Sequence, residues 1–131
     1  MKAGIKHRVP LSSASLLILR NAKKLTDGSE FVFPGRTSSN PLSNMAFLMT
    51  LRRMRQPVTT HGFRSTFRDW ASAKTNTPRE VSEMALAHTV SNKTEAAYLR
   101  DDLFDKRRKL MEAWAQFIQS RDNKARDGGR K

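Results

Sequence analysis

The stretch LFDKRRKLMEAWAQFI, at residues 103–118, carries the clearest secondary-structure signal in the chain. Mostly apolar positions recur there every three or four residues, which is the spacing of one face of an α-helix. These positions are Leu103, Phe104, Arg107, Leu110, Met111, Trp114, Phe117 and Ile118. The charged run of Lys106, Arg107, Arg108 and Lys109 is expected to form the outer, solvated face. The pattern therefore predicts a helix whose apolar stripe packs on its own domain.

Further helices are predicted upstream of this stretch. Ser12 or Ser13 is a suitable N-cap for a helix whose apolar positions are Leu16, Leu17, Leu19 and Leu25. Asn40-Pro41 has the pattern of an N-cap followed by a first helical residue. The helix predicted there carries Leu42, Met45, Leu48 and Leu51, ends in Arg52, Arg53 and Arg55, and stops at Pro57. The arginines there fit a solvated helix end and a phosphate-facing patch equally well.

The middle of the chain predicts three shorter helices. Thr59 or Thr60 caps a helix from His61 to about Ala73, and Thr77-Pro78 begins one that extends to about Leu86. A third begins at Ser91 or Asn92 and holds Tyr98.

Strand signals are weak and lie near the N-terminus. Residues 6–11 contain Pro10, which disfavours helix at the preceding residue and suggests an edge strand, and residues 31–33 are a short strand or a buried loop. The fold class predicted is mainly α, with a short N-terminal strand or hairpin remnant. One domain is expected over residues 1–120, followed by a disordered basic tail at 121–131.

The balance of charge points to a polyanionic partner. The chain has 131 residues and a net charge of +13, and its last eleven residues hold five basic against two acidic groups, so most of the excess lies in the body. A body this basic is typical of nucleic-acid binding. The chain has no cysteine, no signal-peptide pattern and no apolar run of about 20 residues, so we expect a cytoplasmic protein with no membrane contact.

Three features are candidates for chemistry: His61 with Arg64, then His88, then Tyr98. His61 and Arg64 lie three apart at a helix start, where backbone N–H groups and a guanidinium favour an anion such as phosphate. Each feature alone also fits a structural role without chemistry. His61 and Arg64 can be a surface pair, and Tyr98 can be a residue of the core or its rim. No His or Cys set has metal-ligand spacing, so neither a metal nor another cofactor is expected.

Together, THGFRSTFRDWA at 60–71, EMALAH at 83–88 and AAYLR at 96–100 resemble the tyrosine recombinase family, of the prophage and genomic-island integrase type. His61, Arg64, His88 and Tyr98 match the family pattern in type, order and spacing. Lys2 with HRVPLS at 7–12 resembles the hairpin of the catalytic lysine, for which Lys6 is a rival. FVFPGR, NPLSNMAFLMTLRRM and DLFDKRRKLMEAWAQFI also resemble integrase segments, so the likeness covers nearly all of residues 1–120.

The resemblance implies site-specific recombination of double-stranded DNA through a 3′-phosphotyrosyl link, as in integration or excision of a prophage or genomic island. Tyr98 is then the nucleophile, His61 the proton acceptor, Lys2 the proton donor, and Arg64 and His88 the groups that bind the phosphate. The family's first catalytic arginine precedes the hairpin lysine and has no counterpart here, so we expect an N-terminally truncated catalytic domain with weakened or no activity alone. Members act as tetramers on DNA, in which the segment after the tyrosine docks on a neighbour.

Two other functions remain open from the sequence. A basic helical fragment can bind DNA through phosphates without any chemistry, and a protein-interaction remnant needs no DNA at all. The integrase interpretation makes the sharpest structural prediction, because it requires His61, Arg64 and His88 to surround one anion-sized pocket.

Overall fold

Five helices account for most of residues 7–26, 28–88 and 102–128, the parts of the chain that the computed structural model describes. They are α1 (Ser13–Lys24), α2 (Ala46–Arg53), α3 (Thr60–Lys74), α4 (Arg79–Ala85) and α5 (Phe104–Gly128). The mainly α class predicted from the sequence is confirmed. The helix predicted around Tyr98 lies outside the described residues, as does Lys2.

The edge strand predicted at residues 6–11 is wrong where the structure describes it, and residues 31–33 form a loop, which was one of the two alternatives predicted there. Neither 7–11 nor 31–33 forms a strand, and an isolated antiparallel bridge between Pro34 and Pro41 is the one β-type pairing among the residues that the structure describes. A strand needs a neighbour to accept and donate its main-chain hydrogen bonds. Instead, the main-chain oxygen of Arg8 accepts a hydrogen bond from the side chain of Arg107 at 2.7 Å.

The start of α2 also differs from its prediction, whereas α1, α3 and α4 begin and end within one or two residues of theirs. Asn40 belongs to a turn, where its main-chain oxygen accepts from the Gly35 N–H at 2.7 Å and its own N–H donates to Thr37 at 3.1 Å. A Cβ atom at Gly35 would lie 2.7 Å from the Pro41 main-chain oxygen, so the close approach requires glycine. The turn uses the residues expected to start the helix, and α2 begins at Ala46.

The chain divides into two compact units. One consists of residues 1–12 together with 67–131, and its hydrophobic core joins α3, α4 and α5. The buried residues of that core are Phe67, Trp70, Ala71, Val81, Leu86 and Leu110. The rings of Phe67, Trp70, Trp114 and Phe117 pack against one another in this core. The ring centroids are 4.9 Å apart for Trp70 and Trp114 and 5.7 Å apart for Trp70 and Phe117. The stripe predicted at 103–118 therefore packs largely within its own unit.

The other unit, residues 13–66, is organised differently. Ser29 is the single buried residue among those that the structure describes there. Its hydroxyl donates to the Ser38 main-chain oxygen at 2.6 Å and accepts from the Phe31 N–H at 3.1 Å. Large apolar side chains are exposed along α1 and α2, among them Leu17, Ile18, Phe47 and Met49. This unit therefore lacks a hydrophobic core of its own in its described part.

Helix α5 continues to Gly128 and so crosses the domain boundary predicted at residue 120. The disordered tail over 121–131 stays a prediction. Within the described ranges, none of the helices has both the length and the apolar character required to cross a bilayer.

Candidate phosphate-binding site

The first two turns of α3 carry His61 and Arg64. Thr59 precedes the helix, and its hydroxyl accepts a hydrogen bond from the Gly62 N–H at 3.1 Å, as an N-cap residue does. This confirms Thr59 as the cap. Both His61 and Arg64 are exposed, and a spacing of three residues puts them on the same side of the helix. The position is accessible to an anion and lies at the positive end of the helix dipole.

His88 follows the end of α4, where the backbone turns sharply. The Ala87 N–H donates to Met84 at 3.1 Å and the His88 N–H to Glu83 at 3.0 Å, the two bonds of a Schellman motif. Ala87 adopts a left-handed conformation with φ 53°, a position that glycine usually occupies. The turn fixes where the main chain of His88 leaves the helix.

The side chain of Glu83 connects His88 to two arginines. Its Oε2 lies 2.6 Å from His88 Nδ1, and its Oε1 accepts from Arg68 Nε at 2.7 Å. Arg79 Nε is 3.8 Å from the same Oε1 atom. Glu83 is largely buried, with 15% of its side chain exposed, whereas 41% of the His88 side chain is exposed. The carboxylate is therefore more shielded from solvent than the imidazole, which stays partly accessible.

These contacts determine the charge of Glu83. The hydrogen bond with His88 is the main cause that lowers the pKa of Glu83, and the contact with Arg68 lowers it further against the opposing effect of burial. The carboxylate is accordingly ionised at neutral pH and can only accept hydrogen bonds.

A second ionic cluster surrounds Asp102, just before α5. Arg8 Nε donates to Asp102 Oδ2 at 2.8 Å, and Arg107 Nη2 lies 3.2 Å from the same oxygen. The other oxygen, Oδ1, accepts from the Phe104 N–H at 3.1 Å. Burial alone would raise the pKa of Asp102, but the contacts with Arg8, Arg107 and the Phe104 N–H lower it overall.

Arg107 corrects the expectation that residues 106–109 form a solvated face. Its side chain is 1% exposed. In addition to its contact with the Asp102 carboxylate, its guanidinium donates to the main-chain oxygens of Asp102 and Arg8, each at 2.7 Å. The helical stripe did include position 107, but the residue type favoured exposure. The sequence pattern also gave no reason to select Glu83 as a site residue, because its contact with His88 exists only in the folded chain.

The residues predicted to bind phosphate fall in both units. His61 and Arg64 belong to residues 13–66, whereas His88 belongs to the other unit. The convergence of all three on one phosphate stays a prediction. Tyr98 and Lys2, predicted as nucleophile and proton donor, lie outside the described residues.

Comparison with known proteins shows which proteins this chain is related to. The chain is 36% identical over 126 residues to prophage integrase IntA of Escherichia coli K12, and that match covers 94% of this chain and 30% of IntA. It is 34% identical over 126 residues to prophage integrase IntZ of the same bacterium, covering 92% of this chain and 30% of IntZ. The chain is related to the prophage and phage integrases. The integrase of Enterobacteria phage P4 is also similar, 29% identical over 130 residues, with 95% of this chain and 30% of that integrase covered.

The integrase resemblance read from the motifs is thereby confirmed. The chain spans less than a third of the length of the integrases that it matches. No family model matches it, and no solved structure is significantly similar to it. In the described part of this integrase relative, no group of three or more His, Asp or Glu side chains is placed to hold a metal ion.

Proposed function

We propose that this chain carries the strand-transfer residues of a tyrosine recombinase that integrates or excises a prophage or genomic island. The observation that carries the proposal is the order and spacing of His61, Arg64, His88 and Tyr98 in a chain 36% identical to an integrase over 94% of its length. The substrate is double-stranded DNA at attachment sites. Both the activity and the DNA partner are transferred from integrases of which this chain represents less than a third.

In the proposed reaction the Tyr98 oxygen attacks a DNA phosphorus, forms a 3′-phosphotyrosyl bond and breaks the bond to the 5′ oxygen. A phenol has an ordinary pKa of about 10, so its proton must be removed as it attacks, and His61 is the proposed acceptor. Lys2 protonates the leaving 5′ oxygen. Attack by a second 5′-hydroxyl on the phosphotyrosyl bond rejoins the strand and returns the phenol.

Arg64 and His88 are proposed to bind the non-bridging oxygens, on which negative charge increases in the transition state. The accessibility of both side chains and the position of Arg64 near the N-terminus of α3 support this role. Removing one such donor typically costs about 10²- to 10³-fold in rate. The family's first catalytic arginine has no counterpart among these 131 residues, so the isolated polypeptide is expected to react slowly.

The test is covalent capture on DNA. A chimaera in which this chain replaces the matching segment of E. coli IntA would be incubated with a nicked duplex of the IntA attachment site, beside the isolated chain. We expect the chimaera to form an adduct that survives denaturation, and Tyr98→Phe to abolish it. An adduct of equal yield in Tyr98→Phe would exclude Tyr98 as the nucleophile.

A second candidate function is phosphate-mediated DNA binding without chemistry. The net charge of +13 favours it independently of Tyr98. Salt-sensitive DNA binding by the isolated chain, together with a chimaera that forms no adduct, would support this alternative, whereas salt-insensitive binding by the isolated chain would exclude phosphate contacts. Either function places the protein in the bacterial cytoplasm, associated with the nucleoid.

Self-association through α5, with tetramers on DNA, is also proposed. Most of the apolar stripe packs within its own unit, but Ile118 is 48% exposed and is available to a neighbouring copy. Light scattering of Ile118→Lys should show fewer oligomers than the unsubstituted chain. Unchanged mass would exclude this surface.

A further inference from the structure

We infer that Glu83 is a positioning residue for His88: it keeps the proton on Nδ1 and turns Nε2 outward as the ring nitrogen that meets the DNA phosphate. The inference rests on the proposed function for the role of His88 at phosphate. The contact itself stands on the geometry of α4 and its C-terminal turn.

Hydrogen-bond chemistry assigns the proton. Oε2 of Glu83 lies 2.6 Å from Nδ1 of His88, and a carboxylate that also accepts from Arg68 at 2.7 Å offers only acceptor oxygens. Nδ1 must therefore carry the hydrogen, both in the neutral and in the protonated ring. The identity of the protonated nitrogen is commonly set in this way, by the partner of the other nitrogen.

Two further features hold the ring in this orientation. The His88 N–H donates to the main-chain oxygen of Glu83 at 3.0 Å, so one residue fixes both the main chain and the side chain of His88. On its other oxygen Glu83 is held by Arg68 and approached by Arg79 at 3.8 Å, which restricts rotation of the carboxylate. The ring nitrogen that faces away from Glu83 is then Nε2, on a side chain that is 41% exposed.

This arrangement has a consequence for the reaction. A neutral ring with the proton on Nδ1 presents a lone pair at Nε2, and a protonated ring presents an N–H donor at the same place. Protonation at Nε2 thus converts His88 into a donor to a phosphate oxygen without any rotation of the ring. Glu83 accepts the Nδ1–H in the neutral and in the protonated ring.

The first experiment measures the tautomer in the full chain. The chain has three histidines, and long-range ¹H–¹⁵N spectra of ¹⁵N-histidine-labelled protein distinguish Nδ1–H from Nε2–H once His7→Gln and His61→Gln identify the other two. Spectra are recorded well above pH ~6.5, the ordinary pKa of a histidine side chain, so that the neutral ring is observed. We expect Nδ1–H at His88, a change to predominantly Nε2–H in Glu83→Ala, and a mixture in the isosteric Glu83→Gln. Glu80→Gln, an exposed carboxylate on the same helix, is the matched control and should retain Nδ1–H.

The second experiment uses the covalent-capture assay with the chimaera. Glu83→Gln should reduce the rate of adduct formation at saturating DNA by about tenfold or more while leaving the DNA concentration at half-saturation unchanged. Nε2–H at His88 in the unsubstituted chain, or Nδ1–H retained in Glu83→Ala, would overturn the inference. An adduct rate in Glu83→Gln equal to that of Glu80→Gln would also overturn it. If no variant forms an adduct, the proposed function fails, and the tautomers still decide whether Glu83 orients the ring.

Discussion

Arg107 Nη1 donates to the main-chain oxygen of Arg8 at 2.7 Å, although the two residues are 99 positions apart in the chain. The same guanidinium contacts Asp102, which itself pairs with the Arg8 side chain. Aromatic contacts add to the cluster, because the Arg8 guanidinium lies 4.5 Å from the centroid of the Phe104 ring. These contacts attach the segment before α1 to the start of α5.

Arg107→Met should therefore be markedly destabilising. The substitution leaves two main-chain oxygens without their donor and removes one partner of Asp102, for an expected loss of about 2–4 kcal/mol in the free energy of unfolding. Urea denaturation followed by tryptophan fluorescence measures it. Arg108→Met is the matched control, since Arg108 is 61% exposed and its contacts with Asp105 and with the Phe104 ring lie within the same helix. It should lose less than about 0.5 kcal/mol, and equal losses in the two variants would contradict the role of Arg107.

Ala87→Gly should stabilise the chain by up to about 1 kcal/mol. Ala87 has φ 53°, and an L-residue with a Cβ atom is strained in that region whereas glycine is not. The midpoint of urea denaturation reports the gain. Ala85→Gly is a suitable control because Ala85 is the last helical residue of α4, where glycine should cost up to about 1 kcal/mol. A loss of stability in Ala87→Gly would show that the left-handed turn is not formed in solution.

Stability should fall in acid because the folded state lowers the pKa of Glu83 below its ordinary value of 4.5 and that of Asp102 below 3.8. A lowered folded pKa means that the contribution is complete above the ordinary value and is lost as the pH falls through the folded value. Glu83→Gln removes one of these groups, so the stability of that variant should depend less on pH below about 4.5. Glu80→Gln should follow the unsubstituted chain, and thermal denaturation across this range compares the three proteins.

Trp70→Ala should cost about 3–5 kcal/mol, the usual loss for a large aromatic residue removed from a core. Trp70 is 8% exposed and contacts the rings of Phe67, Trp114 and Phe117. Phe63→Ala is the comparison, since Phe63 lies on the same helix but is 55% exposed. Denaturant titration should show only a small loss of stability in Phe63→Ala. The near-ultraviolet circular dichroism signal of the tryptophans should be lost only in Trp70→Ala.

Local sequence signals predicted most of the helices and failed where another contact, distant or local, used the same residues. The cap at Thr59 and the period of residues 103–118 are local and gave the correct elements. The strand at 7–11 was wrong because the described residues offer it no partner strand and Arg107 takes up the main-chain oxygen of Arg8. The start of α2 was wrong because Asn40-Pro41 serves equally well in the turn that closes on Gly35.

The sequence by itself determined the mainly helical class, the kinship with integrases and the candidate residues His61, Arg64, His88 and Tyr98. Residue type, order and spacing are properties of the chain alone, so they need no folded contact to be recognised. Only the tertiary structure decided that Arg107 is buried and that a carboxylate five residues before His88 lies against its ring. Whether a charged group is covered or paired depends on what packs around it, and a helical period cannot distinguish a solvated arginine from one enclosed by carbonyl oxygens.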